Sequence, residues 1–411
     1  MSADPPVTEA DRSALRSLRR RWLLTAGIYL AALIVAYWFL AAVWTPGRAG
    51  GWLLWATAML MVELAVLWWS LPHNSPPTGD RLLPTFGYGT ALTLTCGLLL
   101  MLLAGFLFVP QREPFGRGAL AWLPALLYTL ARLVDYVDGY VARLTRHETK
   151  LGGILDMEFD GLGVLIAVLL AIRVGHLPLW YLPLAFSRQL FIFGIWLRRR
   201  RGLPVYDMTP SANRRIIAGY QTGFISVTLW PNFTPPLSTL AAVIFGGVLT
   251  VSFVRDWLVV SGAIDPTSAA YTRTRAALKT LVEGWLPTAS RAAGFVVLVA
   301  LLVRELPAFP TWLPHLQQSA AASPATVAWL AAGVGVAAAL PFLLGVVGRL
   351  AALGVATVAW LDVAANGLDW GALLFVTAII VAHAGSGRWA RWQPEEAILH
   401  RRPGEQPATE P

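Results

Sequence analysis

Apolar residues in this chain come in blocks of about 20, each long enough to cross a hydrocarbon core of roughly 30 Å as a helix. About twelve such blocks can be read, at approximately 22–44, 51–72, 86–109, 118–142, 153–175, 178–197, 211–230, 236–258, 289–306, 325–345, 348–366 and 370–386. With 56% hydrophobic residues and only 13% charged ones, the 411-residue chain is excluded from the soluble globular class. Uninterrupted apolarity favours helices over barrel strands, which alternate over segments of about ten residues. The expectation is an all-α polytopic integral membrane protein. The first block is too long for a signal-peptide core and reads as a retained anchor. The single cysteine, Cys96, lies inside an apolar block and excludes a disulfide framework.

The net charge of +9 sits in the short segments between blocks, so it reads as a topology signal and not as a nucleic-acid surface. Arg12, Arg16, Arg19, Arg20 and Arg21 precede the first block. Arg143, Arg146 and Lys150, then Arg198 to Arg201 with Arg214 and Arg215, then Arg273, Arg275 and Lys279 occupy alternate loops. Arg388, Arg391, Arg401 and Arg402 close the chain. This bias places both termini in the cytoplasm, with a bacterial cytoplasmic membrane as the expected location. Composition divides the chain into a basic tail (1–21), two spans (22–72), six spans (84–260), a hydrophilic linker (261–288), four spans (289–386) and a polar tail (387–411).

The segment DYVDGYVARLTRHETKLGGILDMEFD, Asp135 to Asp160, carries the chemistry. Carboxylates at a membrane edge are costly and functional by default. Asp135, Asp138, Gly139 and Ala142 fall at i, i+3, i+4 and i+7, on one face of a helix end. Gly152, Asp156 and Asp160 follow at i, i+4 and i+8 on the next helix. A short basic loop makes the two helices antiparallel neighbours, so the acidic faces can point at each other. Four facing carboxylates repel unless something positive sits among them, and oxygen-only ligands suit Mg²⁺ or Mn²⁺ better than zinc. Two such ions could neutralise a bound pyrophosphate. Gly139 and Ala142 remove bulk from that face, and Arg143 is suited to a phosphate oxygen. The pattern points to phosphoryl transfer.

These residues match D-x2-D-G-x2-A-R-x8-G-x3-D-x3-D at every fixed position, and the segment resembles the CDP-alcohol phosphotransferase family. The resemblance implies a six-helix core over about 84–260, metal binding by Asp135, Asp138, Asp156 and Asp160, and Asp160 as general base. It also implies nucleotide contacts from Gly139, Ala142, Arg143, Gly152 and Thr93. The implied reaction is attack of an alcohol acceptor on a CDP-activated lipid or alcohol with release of CMP, in phospholipid biosynthesis, and a homodimer would fit. The family's N-x-L-T-x-x-R is weaker here: Thr90, Leu92 and Thr93 match in part, with Cys96 where arginine is common. Arg188, Arg214 and Arg215 are candidate phosphate or acceptor contacts, set against a role for the basic run in facing anionic headgroups. Glu63, mid-span, is read as either functional or a helix–helix hydrogen-bonding group. The last four spans faintly resemble DoxX-type membrane proteins. The alternative function is a transporter whose acidic cluster binds a translocated cation; carrier sites, however, lie near the midplane and not at helix ends.

Overall fold

The computed structural model describes residues 9–109, 118–207, 212–318 and 323–395, without the side chains of 118, 119, 212, 213 and 215. The described residues form helices joined by turns, with one isolated bridge between Val346 and Trp392 and no strand among them. Each of the twelve apolar blocks contains helix. Among the described residues, seven helical stretches are long and apolar enough to cross a membrane, and two shorter apolar helices, Tyr88–Ala104 and Trp370–Ala384, accompany them.

The chain forms two compact units, each with its own core: residues through Phe186 with Thr222–Phe233, and Ser187–Gln221 with the chain from Thr234. In the first unit the helices are α1 (Glu9–Val43), α2 (Pro46–Ser70), α3 (Tyr88–Ala104), α4 (Leu123–Leu144), α5 (Lys150–Arg173) and the short α6 (Leu182–Ala185). The basic tail is helical from Glu9, because Ala14 and Leu18 supply buried positions one turn apart below the arginines. Helix α3 is the hub. It packs on α4 and α5 and also meets α1 and α2. Small residues permit these approaches: the Trp52 indole fills the space a side chain at Gly105 would need, and Gly97 admits the Phe159 ring and the Tyr29 hydroxyl. Asn74 locks the α2–α3 connection by donating to the carbonyls of Leu83 (2.8 Å) and Thr85 (3.0 Å).

The block at 178–197 is not one helix. The chain turns at Phe186, between α6 and α7 (Ser187–Arg200). The second unit contains α7, the first part of α8 (Ala212–Thr228), α9 (Leu237–Val260), α10 (Ala269–Lys279), α11 (Leu286–Glu305), α12 (Trp312–Gln318), α13 (Pro324–Leu344), α14 (Gly348–Asn366) and α15 (Trp370–Ala384). The hydrophilic stretch before α11 is largely helical: α10, capped by Ser268, runs through a wider-wound turn at Thr280–Trp285 into α11. Helices α11, α13, α14 and α15 bundle together. Inside this bundle the fully buried Asp362 and Glu305 are tied to Arg304, and Asn366 and the Trp312 indole also donate to Asp362. A low-dielectric interior accepts such charges only when they are paired and hydrogen-bonded.

Candidate active site

The site lies in the first unit, on α4 and α5. Helix α4 ends at Leu144; the turn carries Arg146 in a left-handed conformation (φ 51°). Helix α5 begins where the Thr149 hydroxyl accepts the Gly152 N–H at 3.0 Å, an N-cap that satisfies one of the orphan donors of the first turn. The two helices pack more extensively on α3 than on each other. Their facing stripes are therefore free to carry polar groups between them.

Asp135 of α4 and Asp156 and Asp160 of α5 converge there, each able to place a carboxylate oxygen within 4.8 Å of the other two. Arg132, one turn before Asp135, reaches into the same place. Its guanidinium pairs with Asp160 and stands 3.6 Å from Asp135. Its other terminal nitrogen is 3.2 Å from the Cys96 sulfur, and it lies over the Tyr128 ring at 5.5 Å. Gly163 leaves room for it: a side chain there would meet the guanidinium at 3.4 Å and Leu100 at 3.1 Å. The Arg132 side chain is 9% exposed and that of Asp160 is 47% exposed. The cation is thus held from inside while the carboxylate opens outward. One guanidinium against three carboxylates leaves the cluster negative.

Asp138 takes a different partner. It is buried, and its Oδ2 accepts the Thr93 hydroxyl of α3 at 2.6 Å. Ala142 packs on Gly89 of α3, where any side chain would fall 2.6 Å from the Ala142 methyl and 2.9 Å from the Asp138 carbonyl. Gly152 likewise sets the start of α5 against Thr90, since a methyl there would lie 3.3 Å from the Thr90 and Thr149 hydroxyls. The Arg143 guanidinium folds back over Gly139, 3.3 Å from where a side chain would begin. Glu158 is exposed, away from the cluster.

The basic candidates further along belong to the second unit. Arg214 pairs with Asp256 at 3.5 Å, a carboxylate that also meets Arg255 at 3.1 Å. Arg188 is exposed at the start of α7, and the side chain of Arg215 lies outside the described residues. The residue that sequence reasoning undervalued is Arg132. Its signal was present: it sits at i−3 from Asp135, on the acidic stripe. What could not be read was that its guanidinium would settle beside Cys96, the position where the family motif commonly has an arginine.

The donor set fits a hard divalent cation. All three groups are carboxylates, and oxygens bound to one Mg²⁺ or Ca²⁺ at about 2.0–2.6 Å stand within about 5 Å of each other. Arg132 already touches two of them, so a bound cation and the guanidinium would share those oxygens.

Residues 88–254 match the CDP-alcohol phosphatidyltransferase family model. Among curated relatives, the CDP-diacylglycerol–glycerol-3-phosphate 3-phosphatidyltransferase of Cereibacter sphaeroides is 32% identical over 84 residues, covering 20% of this chain and 38% of that protein. The enzyme of the same name from Salmonella choleraesuis is 32% identical over 102 residues, covering 24% of this chain and 50% of that protein. The Bacillus subtilis one is 33% identical over 73 residues, covering 18% and 38% respectively. The chain therefore spans half or less of the length of these relatives. No solved structure shows a significant match.

Proposed function

We propose that the protein transfers a substituted phosphate from a CDP-alcohol to an alcohol, with release of CMP, a reading supported by the match of residues 88–254 to the CDP-alcohol phosphatidyltransferase family model. The observation that carries the reading is the convergence of Asp135, Asp156 and Asp160 from two antiparallel helices around Arg132. CDP-diacylglycerol is the donor to try first and glycerol 3-phosphate the acceptor, following the names of the relatives.

Asp135, Asp156 and Asp160 would hold the divalent metal, Mg²⁺ or Mn²⁺ and, by the family resemblance, two ions. When bound, the metal supplies positive charge that neutralises the diphosphate and eases departure of CMP. Asp160, whose side chain is more open than that of Asp135, would take the acceptor hydroxyl's proton as the acceptor oxygen bonds to the phosphorus and the bond from phosphorus to the CMP oxygen breaks. A general base so placed contributes about 10²–10⁴ in rate. Arg132 orients that carboxylate through an ion pair, and Arg143, folded over Gly139, offers its guanidinium to a phosphate oxygen. The Thr93–Asp138 hydrogen bond fixes α4 against α3. Lysine and arginine bias supports an opening to the cytoplasm, where a nucleotide-activated donor is available.

The test is CMP release by the purified chain from CDP-diacylglycerol, with glycerol 3-phosphate, glycerol and other small alcohols as acceptors. The reading expects release only with an acceptor, loss on chelation and recovery with Mg²⁺ or Mn²⁺. Binding of a translocated cation with no nucleotide turnover on any CDP-alcohol would overturn it in favour of a carrier.

A further inference from the structure

A second site lies behind α3, on the stripe turned away from the aspartates. Thr90, Thr93, Cys96 and Gly97 are buried towards α4 and α5 or the core, whereas Tyr88, Ala91 and Thr95 are exposed on the side of α3 that meets α1. Between α1 and α3 runs an open groove of about 720 Å³, within the range of small-molecule and cofactor sites. Both helices run in the same sense along it, from a polar mouth to an apolar depth. At the mouth stand Arg21, Gly87 and His147; further in, Ile28, Leu94 and Leu98 form the walls.

The mouth is built for an anion. Arg21 spends its Nε–H on the Pro84 carbonyl at 3.3 Å, which fixes the side chain and leaves the terminal guanidinium donors for another acceptor. Gly87, the N-cap of α3, provides no capping side chain, so the first N–H groups of α3 lack that partner at the same mouth. Among the described residues, no acidic one lines the groove. The adjoining stretch Glu9–Arg21 carries five arginines against two acids, and Arg16, Arg19 and Arg20 are exposed on it. An apolar trough continuing into a helix that reads as membrane-spanning, with a cationic mouth at its interfacial end, has the polarity of a phospholipid.

We infer that the α1–α3 groove binds one anionic glycerophospholipid, its phosphate at Arg21 and the α3 N-terminus and an acyl chain between the two helices. Charge complementarity selects a net-negative headgroup; a zwitterionic one would bring its own cation into a mouth of donors. The inference does not rest on the transferase reading, since α1 lies outside residues 88–254 and the groove uses the opposite stripe of α3.

The experiment is native mass spectrometry of the delipidated full chain in detergent, titrated with dioleoylphosphatidylglycerol, dioleoylphosphatidylcholine or inorganic phosphate. One phosphatidylglycerol should be retained about tenfold more tightly than phosphatidylcholine, a factor of ten being what one good charged contact supplies. Arg21→Gln should bring the two lipids level. Thr95→Trp, which fills the groove from an exposed position, should lower binding of both. In the unmutated chain, phosphatidylglycerol with a photoreactive acyl chain should label peptides covering 21–28 and 88–98. Equal binding of the two lipids, labelling elsewhere, or phosphatidylglycerol binding untouched by both substitutions would overturn the inference. Full displacement of the lipid by inorganic phosphate would reduce the site to an anion site and overturn it equally.

Discussion

Replacing Arg132 with leucine removes the cation that holds the acidic cluster together while keeping the apolar bulk against Tyr128 and Cys96. Two unit charges within 4.8 Å of each other repel by at least about 3 kcal/mol at an effective dielectric of about 20. The half-open Asp160 side chain screens part of this, leaving about 1–2 kcal/mol from the repulsion. Leaving a partly buried ion pair broken adds a contribution of similar sign. The expected total is about 2–3 kcal/mol, which for a unit of roughly 200 residues lowers the thermal midpoint by about 4–12 °C. The assay is thermal unfolding in detergent with chelator and with millimolar Mg²⁺. A divalent cation at the three carboxylates replaces the missing charge, so Mg²⁺ should recover most of the loss and should stabilise Arg132→Leu more than the parent. If Arg132→Leu melts with the parent in chelator, or Mg²⁺ stabilises both to the same extent, the guanidinium is not the counter-ion of the cluster and the electrostatic reasoning fails.

Three further outcomes follow from individual contacts. Gly89→Val should cost at least about 1–3 kcal/mol in stability, since its first side-chain carbon would fall 2.9 Å from the Asp138 carbonyl; a CMP-release assay should show activity falling with it. Thr93→Val should leave the buried Asp138 carboxylate short of a donor, costing about 1–3 kcal/mol, with Thr93→Ser restoring the thermal midpoint. Glu63 is buried in α2, and among the described residues neither of its carboxylate oxygens has a hydrogen-bond partner, so Glu63→Met should raise the midpoint, by an amount equivalent to about 1–3 kcal/mol; a lower midpoint would reveal a partner that this carboxyl needs.

Much of this architecture was legible because the bilayer imposes long apolar helices, and their composition survives without any knowledge of contacts. The acidic stripe was legible for the same reason: 3.6-residue periodicity places Asp135 above Asp138, and Asp156 above Asp160. Three features were not. The turn at Phe186 interrupts a block whose apolarity is continuous across it, so composition gives no break there. The run from Glu9 to Arg21 looks like a tail because of its charge, yet buried Ala14 and Leu18 make it the first turns of α1. The role of Arg132 depends on which neighbour its guanidinium meets, and that is set by Cys96 from another helix and the space at Gly163. Nor could the sequence show that Ala142, read as clearance for a ligand, also packs on Gly89 of α3, or that Gly152, read as a nucleotide contact, also lies against Thr90 of α3.

The central claim is that Asp160 serves a metal-assisted transfer from a CDP-alcohol. The most direct measurement is the ratio of CMP released to lipid product formed, by the purified chain and by Asp160→Asn, with CDP-diacylglycerol, the best acceptor and Mg²⁺. The account predicts one CMP per product for the parent and a rate lower by a factor of about 10² or more for Asp160→Asn, with that variant still folded. Full turnover by Asp160→Asn, or CMP released by the parent without a phosphatidylated product, would contradict it.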